Sequence, residues 1–329
     1  MAIEQDLNIS INGFNTEQIA NTIGHFILDA IRTLDNRFSM ELNKLKFVVV
    51  SYDFASALQK VSSDYLHNSP SSFTKSTQGE AIGQLVAKMN SDGSHEEFTL
   101  VLSTSFFVEL FNTDGEIEPT TEGVNAVLHR IHHELAHVHE FNTLTKLDRG
   151  YLVNDYGDAV LIAAMKSWSE YLANFLSATT ATQDSVDMFL EHFNNVINEV
   201  PDEIYVYKNK YRLGMLSLDE MFHEVRKRVK LIVDACGYAM GYVHALEINI
   251  DSYYPEISSA LAKQNLDNLF HNLTEAFSEL REKYTSSEFN SLEDYKNITN
   301  CIEELYKKFG LTLECDSWGG DSGLYIHVK

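Results

Sequence analysis

One segment, HRIHHELAHVHE at residues 129–140, constrains the fold of this chain more than any other stretch. It contains five of the 13 histidines in the sequence. The apolar residues around it recur at helical spacing and share one face: Val124, Val127, Leu128, Ile131, Leu135 and Val138. This pattern predicts an amphipathic helix from Thr121 to about Thr145, with its apolar face on the core and two of the histidines, His133 and His137, on the opposite side.

Within this helix, His133-Glu134-Leu135-Ala136-His137 matches the pattern HExxH. Residues four apart on a helix lie one turn above each other, so both imidazoles can reach one metal ion. Glu134 lies about 100° around the helix from His133, where it can hold a water molecule rather than ligate the metal. The alternative is a histidine-rich helix face that is simply exposed to solvent.

A second predicted helix, residues 158–178, offers a third ligand. It is apolar nearly all round, which predicts burial, and Glu170 lies in its middle. A buried carboxylate without a partner is costly, and a divalent cation offsets that cost. We therefore predict a Zn²⁺ site made by His133, His137 and Glu170, with a fourth position left to water. The alternative is a polar stripe facing water, in which Lys166 pairs with Glu170.

The order of predicted elements indicates an α+β fold, in which a small mixed sheet is followed by a mainly helical C-terminal half. Strands are predicted at residues 7–14, 46–54, 82–90, 96–102 and 324–328. Besides the two helices above and one near the N-terminus, helices are predicted at residues 183–199, 216–247, 256–284 and 291–309.

Residues 82–90 and 96–102 form a predicted hairpin, with Asp92-Gly93 as its turn signal. Its second strand, Phe98–Leu102, is a candidate sheet edge to which an extended peptide could add as a further strand. The alternative is an internal strand without a free edge.

Composition excludes several classes of partner. A formal net charge of −23 repels phosphate groups, so neither nucleic acid nor an anionic membrane surface is expected to bind. The three cysteines include no CxxC pair, which indicates a reducing compartment. The N-terminus lacks the pattern of a signal peptide, and no run of about 18–20 apolar residues could span a membrane. A cytoplasmic protein is expected.

HELAH, followed 33 residues after its last histidine by EYLAN at 170–174, resembles the motifs of the gluzincin metallopeptidases. The likeness is greatest to the ImmA/IrrE-like group of cytosolic HExxH proteins, which cleave regulatory proteins. We expect a zincin-like region at residues 1–180, with residues 181–329 as a helical region packed on it. The likeness itself covers roughly residues 80–180. It also implies that Glu134 activates water and that Asn174 supports the ligands. The chain departs from that group in its long helical half and in lacking a helix-turn-helix segment.

The expected function is therefore a zinc metallopeptidase that hydrolyses peptide bonds of a cytosolic protein substrate. His244 is a candidate for stabilising the transition state, as are His129, His132 and His139. A histidine satisfied within the core is the alternative for His244, which follows two glycines at close-packing spacing. A non-catalytic, zinc-stabilised scaffold for protein interactions is the alternative function. A toxin or defence effector would use the same chemistry as the peptidase, and the oligomeric state is not predicted.

Overall fold

A computed structural model gives the fold of most of the chain. It describes residues 7–65, 75–76, 79–80, 82–91, 94–144, 157–315 and 324–329. The chain divides into two compact units, one of Met1–Thr145 with Thr179–Ser185, the other of Lys146–Ala178 with Val186–Lys329. Within the described ranges, no helix is long and apolar enough to cross a membrane.

The first unit combines a mixed four-stranded sheet with helices. Its elements are β1 (Asn8–Asn12), α1 (Glu17–Phe38), β2 (Leu45–Ser51), α2 (Phe54–Asp64), β3 (Lys75–Ser76), β4 (Gly79–Glu80), β5 (Gly83–Met89), β6 (His95–Ser103), a 3₁₀ helix (Thr104–Leu110) and α3 (Thr121–Thr143). The sheet has the order β1-β2-β6-β5, in which β5 is antiparallel to β6 and the other neighbours are parallel. Strands β3 and β4 pair separately. The predicted α+β fold with a small mixed sheet is confirmed.

The predicted hairpin is confirmed as β5 and β6, in which Gly83 pairs with Leu102. Its predicted turn, Asp92-Gly93, lies outside the described residues. Of the two alternatives for Phe98–Leu102, the internal strand is confirmed and the sheet edge is wrong, because β6 pairs with β2 as well as with β5. Among the described strands of this sheet, the edges are β1 and β5.

Helix α3 contains HELAH and closely matches the predicted helix. It begins after Thr120, whose side-chain oxygen accepts a hydrogen bond from the Gly123 amide at 3.0 Å, a typical N-cap. The helix packs on α1, β5, β6 and the 3₁₀ helix. Most of its predicted apolar face is buried, with side chains at most 1% exposed at Val127, Ile131, Leu135 and Val138. Val124 and Leu128 are partly exposed. This packing leaves the two HExxH histidines partly exposed.

The second unit is mainly helical. Its elements are a π-helical turn (Gly157–Leu161), α4 (Ile162–Ser177), α5 (Gln183–Arg212), α6 (Leu218–Ala245), α7 (Ile250–Tyr253), α8 (Pro255–Gln264), α9 (Asp267–Thr285), a 3₁₀ turn (Leu292–Tyr295), α10 (Lys296–Lys308), β7 (Leu311–Cys315) and β8 (Leu324–Val328). Helices α4 and α6 pack closely, because Gly237 and Gly241 leave room for the backbone carbonyls of Ser167 and Tyr171. The close packing expected from these glycines is confirmed.

One predicted helix, at residues 256–284, is wrong as a single element. Helix α8 ends at Gln264, and Asn265 adopts a left-handed conformation with φ 52°. The Asn265 amide donates to the carbonyl oxygen of Ala262 at 3.0 Å, which closes the helix. Leu266, only 1% exposed, then turns into the core before α9 begins.

Candidate metal centre

His133 and His137 lie on the same face of α3. Their Nε2 atoms are 3.3 Å apart, and the ring planes are nearly perpendicular at 89°. Two nitrogens that each bind one tetrahedral zinc at about 2.05 Å are themselves about 3.3 Å apart. The two rings therefore have the separation of ligands to one ion. A hydrogen bond between the two ring nitrogens would span a similar distance.

Glu170, the third predicted ligand, is brought together with these rings. One carboxylate oxygen of Glu170 and one ring nitrogen from each histidine lie within 4.8 Å of one another. All three side chains are partly exposed. The predicted burial of the surrounding helix is confirmed, since α4 buries Ala163, Ala164, Ser167, Trp168, Tyr171, Leu172, Ala173, Asn174 and Ser177.

The chemistry of this donor set selects among metals. Two imidazoles and one carboxylate form the protein part of many catalytic zinc sites, in which a fourth position remains for water. Calcium and magnesium instead take sites made of oxygen ligands. His133, His137 and Glu170 therefore fit zinc, or a similar transition-metal ion, better than either of those cations.

Lys166, the alternative partner of Glu170, lies one turn before it on α4. Lys166 is exposed at its surface, but partial loss of hydration among its neighbours, followed by the charge of Lys230, lowers its pKa, whereas Asp234 and Glu170 act in the opposite direction. Lys230 donates a hydrogen bond to Asp234. Glu170 is thus electrostatically coupled to Lys166. The alternative of a polar stripe that faces water is nevertheless wrong, because Ser167, Asn174 and Ser177 on this helix are fully buried.

Glu134 lies against the edge strand β5. A Cβ atom placed on Gly83 would be 2.7 Å from Oε1 of Glu134 and 3.0 Å from its Cδ. The same Cβ would be 3.2 Å from Leu102, which is fully buried on β6. The absence of a side chain at Gly83 therefore leaves the space next to the Glu134 carboxylate open.

Glu140 is a residue near the site that the sequence interpretation missed. It follows His137 by three residues on α3, and its side chain is only 2% exposed. Its Oε2 lies 3.9 Å from Nδ1 of His137, whose own side chain is 12% exposed. The signal was present in the sequence, because residues three apart on a helix are neighbours.

The remaining histidines of α3 are engaged elsewhere within the first unit. The Nδ1 atoms of His129 and His132 lie 3.2 Å and 2.9 Å from the hydroxyl of Thr180. Nδ1 of His139 accepts a hydrogen bond from the Glu41 amide at 2.8 Å. His129 and His132 are 3% and 1% exposed, which makes them unsuited to contact a substrate. Burial, followed by the charge of His133, lowers the pKa of His132 to about 4.

Asn174 and His244, the two further predicted site residues, have partners inside the second unit. The Asn174 side-chain amide donates to the Tyr238 carbonyl at 2.9 Å, which ties α4 to α6. Nδ1 of His244 lies 2.7 Å from the Tyr171 hydroxyl. Burial, followed by the charge of Arg281, lowers the pKa of His244 to about 4, so this ring is neutral at pH 7. These contacts favour a core histidine at position 244. Transition-state stabilisation by His244 and support of the ligands by Asn174 stay predictions.

Comparison with models of known protein families, with curated protein sequences and with solved structures gave no match. A function for this chain is therefore argued from the donor set, its spacing and the residues that surround it.

Proposed function

We propose that this protein is a zinc-dependent metallopeptidase with a zincin-like catalytic region, which hydrolyses peptide bonds of a cytosolic protein. The observation that carries the proposal is the convergence of His133, His137 and Glu170, with one ligand atom of each within 4.8 Å of the others. A purely structural site has no need of the carboxylate of Glu134 between its two histidines, and this favours catalysis over the scaffold alternative.

His133, His137 and Glu170 would hold the ion. When bound, zinc supplies a Lewis acid that polarises a carbonyl group and lowers the pKa of water. Glu134 then acts as the general base, because it accepts a proton from the attacking water and delivers it to the leaving amine. Its position against Gly83 supports this role, since no side chain there competes for the space that the carboxylate occupies.

The peptide is proposed to bind along β5. This strand pairs with β6 on one side only among the described strands, and α3 packs against it. An extended peptide that adds to its other side would gain backbone hydrogen bonds in register. It would also pass Gly83, next to which the carboxylate of Glu134 lies. The edge strand that serves substrate binding is thus β5 rather than β6.

Elemental analysis of the purified protein tests the metal site. We expect bound zinc in the wild-type protein and its loss in Glu170→Ala, because the site keeps only two of its three protein ligands. Glu199→Ala, which removes an exposed carboxylate of α5, is the matched control and should keep its zinc. Equal zinc in wild type and Glu170→Ala would show that Glu170 is not a ligand.

Cleavage of a degenerate peptide library, read by mass spectrometry, tests the reaction. We expect Glu134→Gln to keep zinc and to lose hydrolysis by about 10²- to 10⁴-fold, the range for removal of a general base. Undiminished cleavage by Glu134→Gln would remove this mechanism. A zinc-loaded wild-type protein that cleaves no member of the library, but still binds a partner, would favour the scaffold.

A further inference from the structure

Glu140 is a nearly buried carboxylate on the helix that carries both ring ligands. Its side chain is 2% exposed, and its Oε2 lies 3.9 Å from Nδ1 of His137. A buried carboxylate is destabilising unless a positive or hydrogen-bonding group faces it. The ring of His137 is one polar group that lies near this carboxylate within the first unit.

The geometry of the two HExxH rings determines which atom faces Glu140. The Nε2 atoms of His133 and His137 approach each other, so these are the nitrogens directed at the ion. A nitrogen that ligates a metal carries no proton, and a neutral imidazole has its proton on the other nitrogen. In His137 that other nitrogen is Nδ1, the atom nearest to Glu140.

We propose that Glu140 is a positioning residue for the metal centre. In the structure, Oε2 of Glu140 and Nδ1 of His137 are 3.9 Å apart, which is too long for a hydrogen bond. When the ring binds the ion, its Nδ1 proton closes on the Glu140 carboxylate, which fixes the tautomer and the orientation of the ring and strengthens Nε2 as a ligand. This inference rests on the proposed metal site, although it requires no peptide hydrolysis.

Zinc affinity, measured by competition with a chelator, tests the proposal. We expect Glu140→Gln to bind zinc about 10- to 100-fold more weakly than wild type, as is usual when the partner of a ligating histidine is lost. Glu122→Gln makes the same change at an exposed position of α3 and should leave the affinity unchanged. A wild-type protein without zinc affinity would overturn the metal site itself. Equal zinc affinities of the wild-type protein and Glu140→Gln would overturn only the role of Glu140 and would leave the metal site in place.

A structural role for Glu140 is separated from a positioning role by two further measurements. Thermal unfolding of the metal-free proteins should give Glu140→Gln a midpoint close to that of wild type, because the amide keeps the size of the side chain. Glu140→Asp, which retains the charge on a shorter side chain, should recover part of the zinc affinity. If Glu140→Asp instead binds zinc no better than Glu140→Gln, the charge is not what matters.

The ring that Glu140 serves can be identified by ¹⁵N NMR of the zinc-loaded protein. Glu140 also raises the pKa of His139, whose pKa is lowered overall by burial, so this second ring is the competitor. We expect Glu140→Gln to shift the Nδ1 resonance of His137 and to leave that of His139 in place. A shift confined to His139 would assign Glu140 to that ring and contradict the proposal.

Discussion

Helix α3 carries two pairs of histidines whose environments differ. His133 and His137 are partly exposed, and their Nε2 atoms approach to 3.3 Å. His129 and His132 are 3% and 1% exposed, and both of their Nδ1 atoms approach the hydroxyl of Thr180. Histidines on the same helix thus provide a candidate metal site in one pair and a buried contact with Thr180, here called the Thr180 tie, in the other.

The difference shows that histidines on one helix can have two roles, as candidate metal ligands or as buried hydrogen-bonding groups. A hydroxyl has a single proton to donate, so Thr180 can donate to at most one of its two imidazoles. At least one of His129 and His132 therefore carries its proton on Nδ1 if both contacts are hydrogen bonds. The HExxH pair needs its Nε2 atoms unprotonated to bind an ion, and its partial exposure leaves space for water and substrate.

The largest effect is expected when one histidine of each pair is replaced by alanine and the two variants are compared. His137→Ala removes a ligand and should weaken zinc binding by more than the ~100-fold that loss of an outer partner costs. His132→Ala should leave zinc affinity within a few fold and lower the free energy of unfolding by about 2 kcal/mol, through lost packing and a lost hydrogen bond. Chelator competition and denaturant unfolding of the metal-free proteins measure the two quantities. Loss of zinc in both variants would show that the pairs are not separate.

A smaller effect, on the free energy of unfolding, is expected when the Thr180 tie is removed. Thr180→Val keeps the shape of the side chain but removes the hydroxyl that both His129 and His132 approach. We expect the free energy of unfolding to fall by about 1–3 kcal/mol, the cost of losing a buried hydrogen-bond partner, with zinc affinity little changed. Thr179→Val, at the exposed neighbouring position, is the control and should be nearly neutral. Equal stabilities for the two variants would mean that the tie contributes nothing measurable.

The comparison between histidines can be extended to His244 in the second unit. The quantity to measure there is the dependence of the free energy of unfolding on pH. Its pKa is about 4 in the folded protein because of burial and Arg281, against 6.5 ordinarily, while Tyr171 faces its Nδ1. The unfolded chain therefore binds a proton between pH 6.5 and 4 that the folded chain does not, and stability falls as the pH is lowered through that window. Since the ring is partly exposed, we expect a loss of about 1–2 kcal/mol.

His244→Gln isolates this contribution, because glutamine keeps a polar side chain that does not titrate. Its free energy of unfolding should decrease less than that of wild type between pH 7 and pH 4. The other acid-sensitive groups, His132 among them, are common to both proteins and cancel in the difference. Parallel stability curves for the two proteins would show that His244 is not held neutral by the fold.

The features that sequence predicted best depend on local spacing. The HExxH spacing predicts which residues share a helix face. Thr120 is a recognisable N-cap residue for α3. Glu170 was found because a carboxylate in the middle of an apolar helix requires a partner, and its oxygen does lie close to both rings. In each case the physical cause acts within one or two helical turns.

The features that the sequence left open or that were missed fall into two kinds. The internal position of β6 depends on parallel pairing of Thr99 with Phe47 on β2, and no local pattern reports which strands become neighbours. Glu140 and the helix break at Asn265 did have local signals: i+3 spacing for Glu140, and an asparagine suited to the left-handed conformation for Asn265. These two were lost because the metal pattern and the long helical periodicity dominated the interpretation.

The smallest effect is expected for a substitution of Gly83. It tests the proposed base separately from the metal ligands, because it should change the rate of hydrolysis and not the zinc affinity. Gly83→Ala introduces a methyl group 2.7 Å from Oε1 of Glu134, and the end of that flexible side chain can move more easily than the buried Leu102. We expect zinc affinity to be unchanged and peptide hydrolysis to fall about tenfold, since misplacing a catalytic group by a fraction of an ångström costs up to about 100-fold. Rates of Gly83→Ala, Glu134→Gln and the double variant form a cycle. If Glu134 carries the effect, Gly83→Ala will not slow the Glu134→Gln protein further, whereas additive losses would place the disturbance in β5 itself.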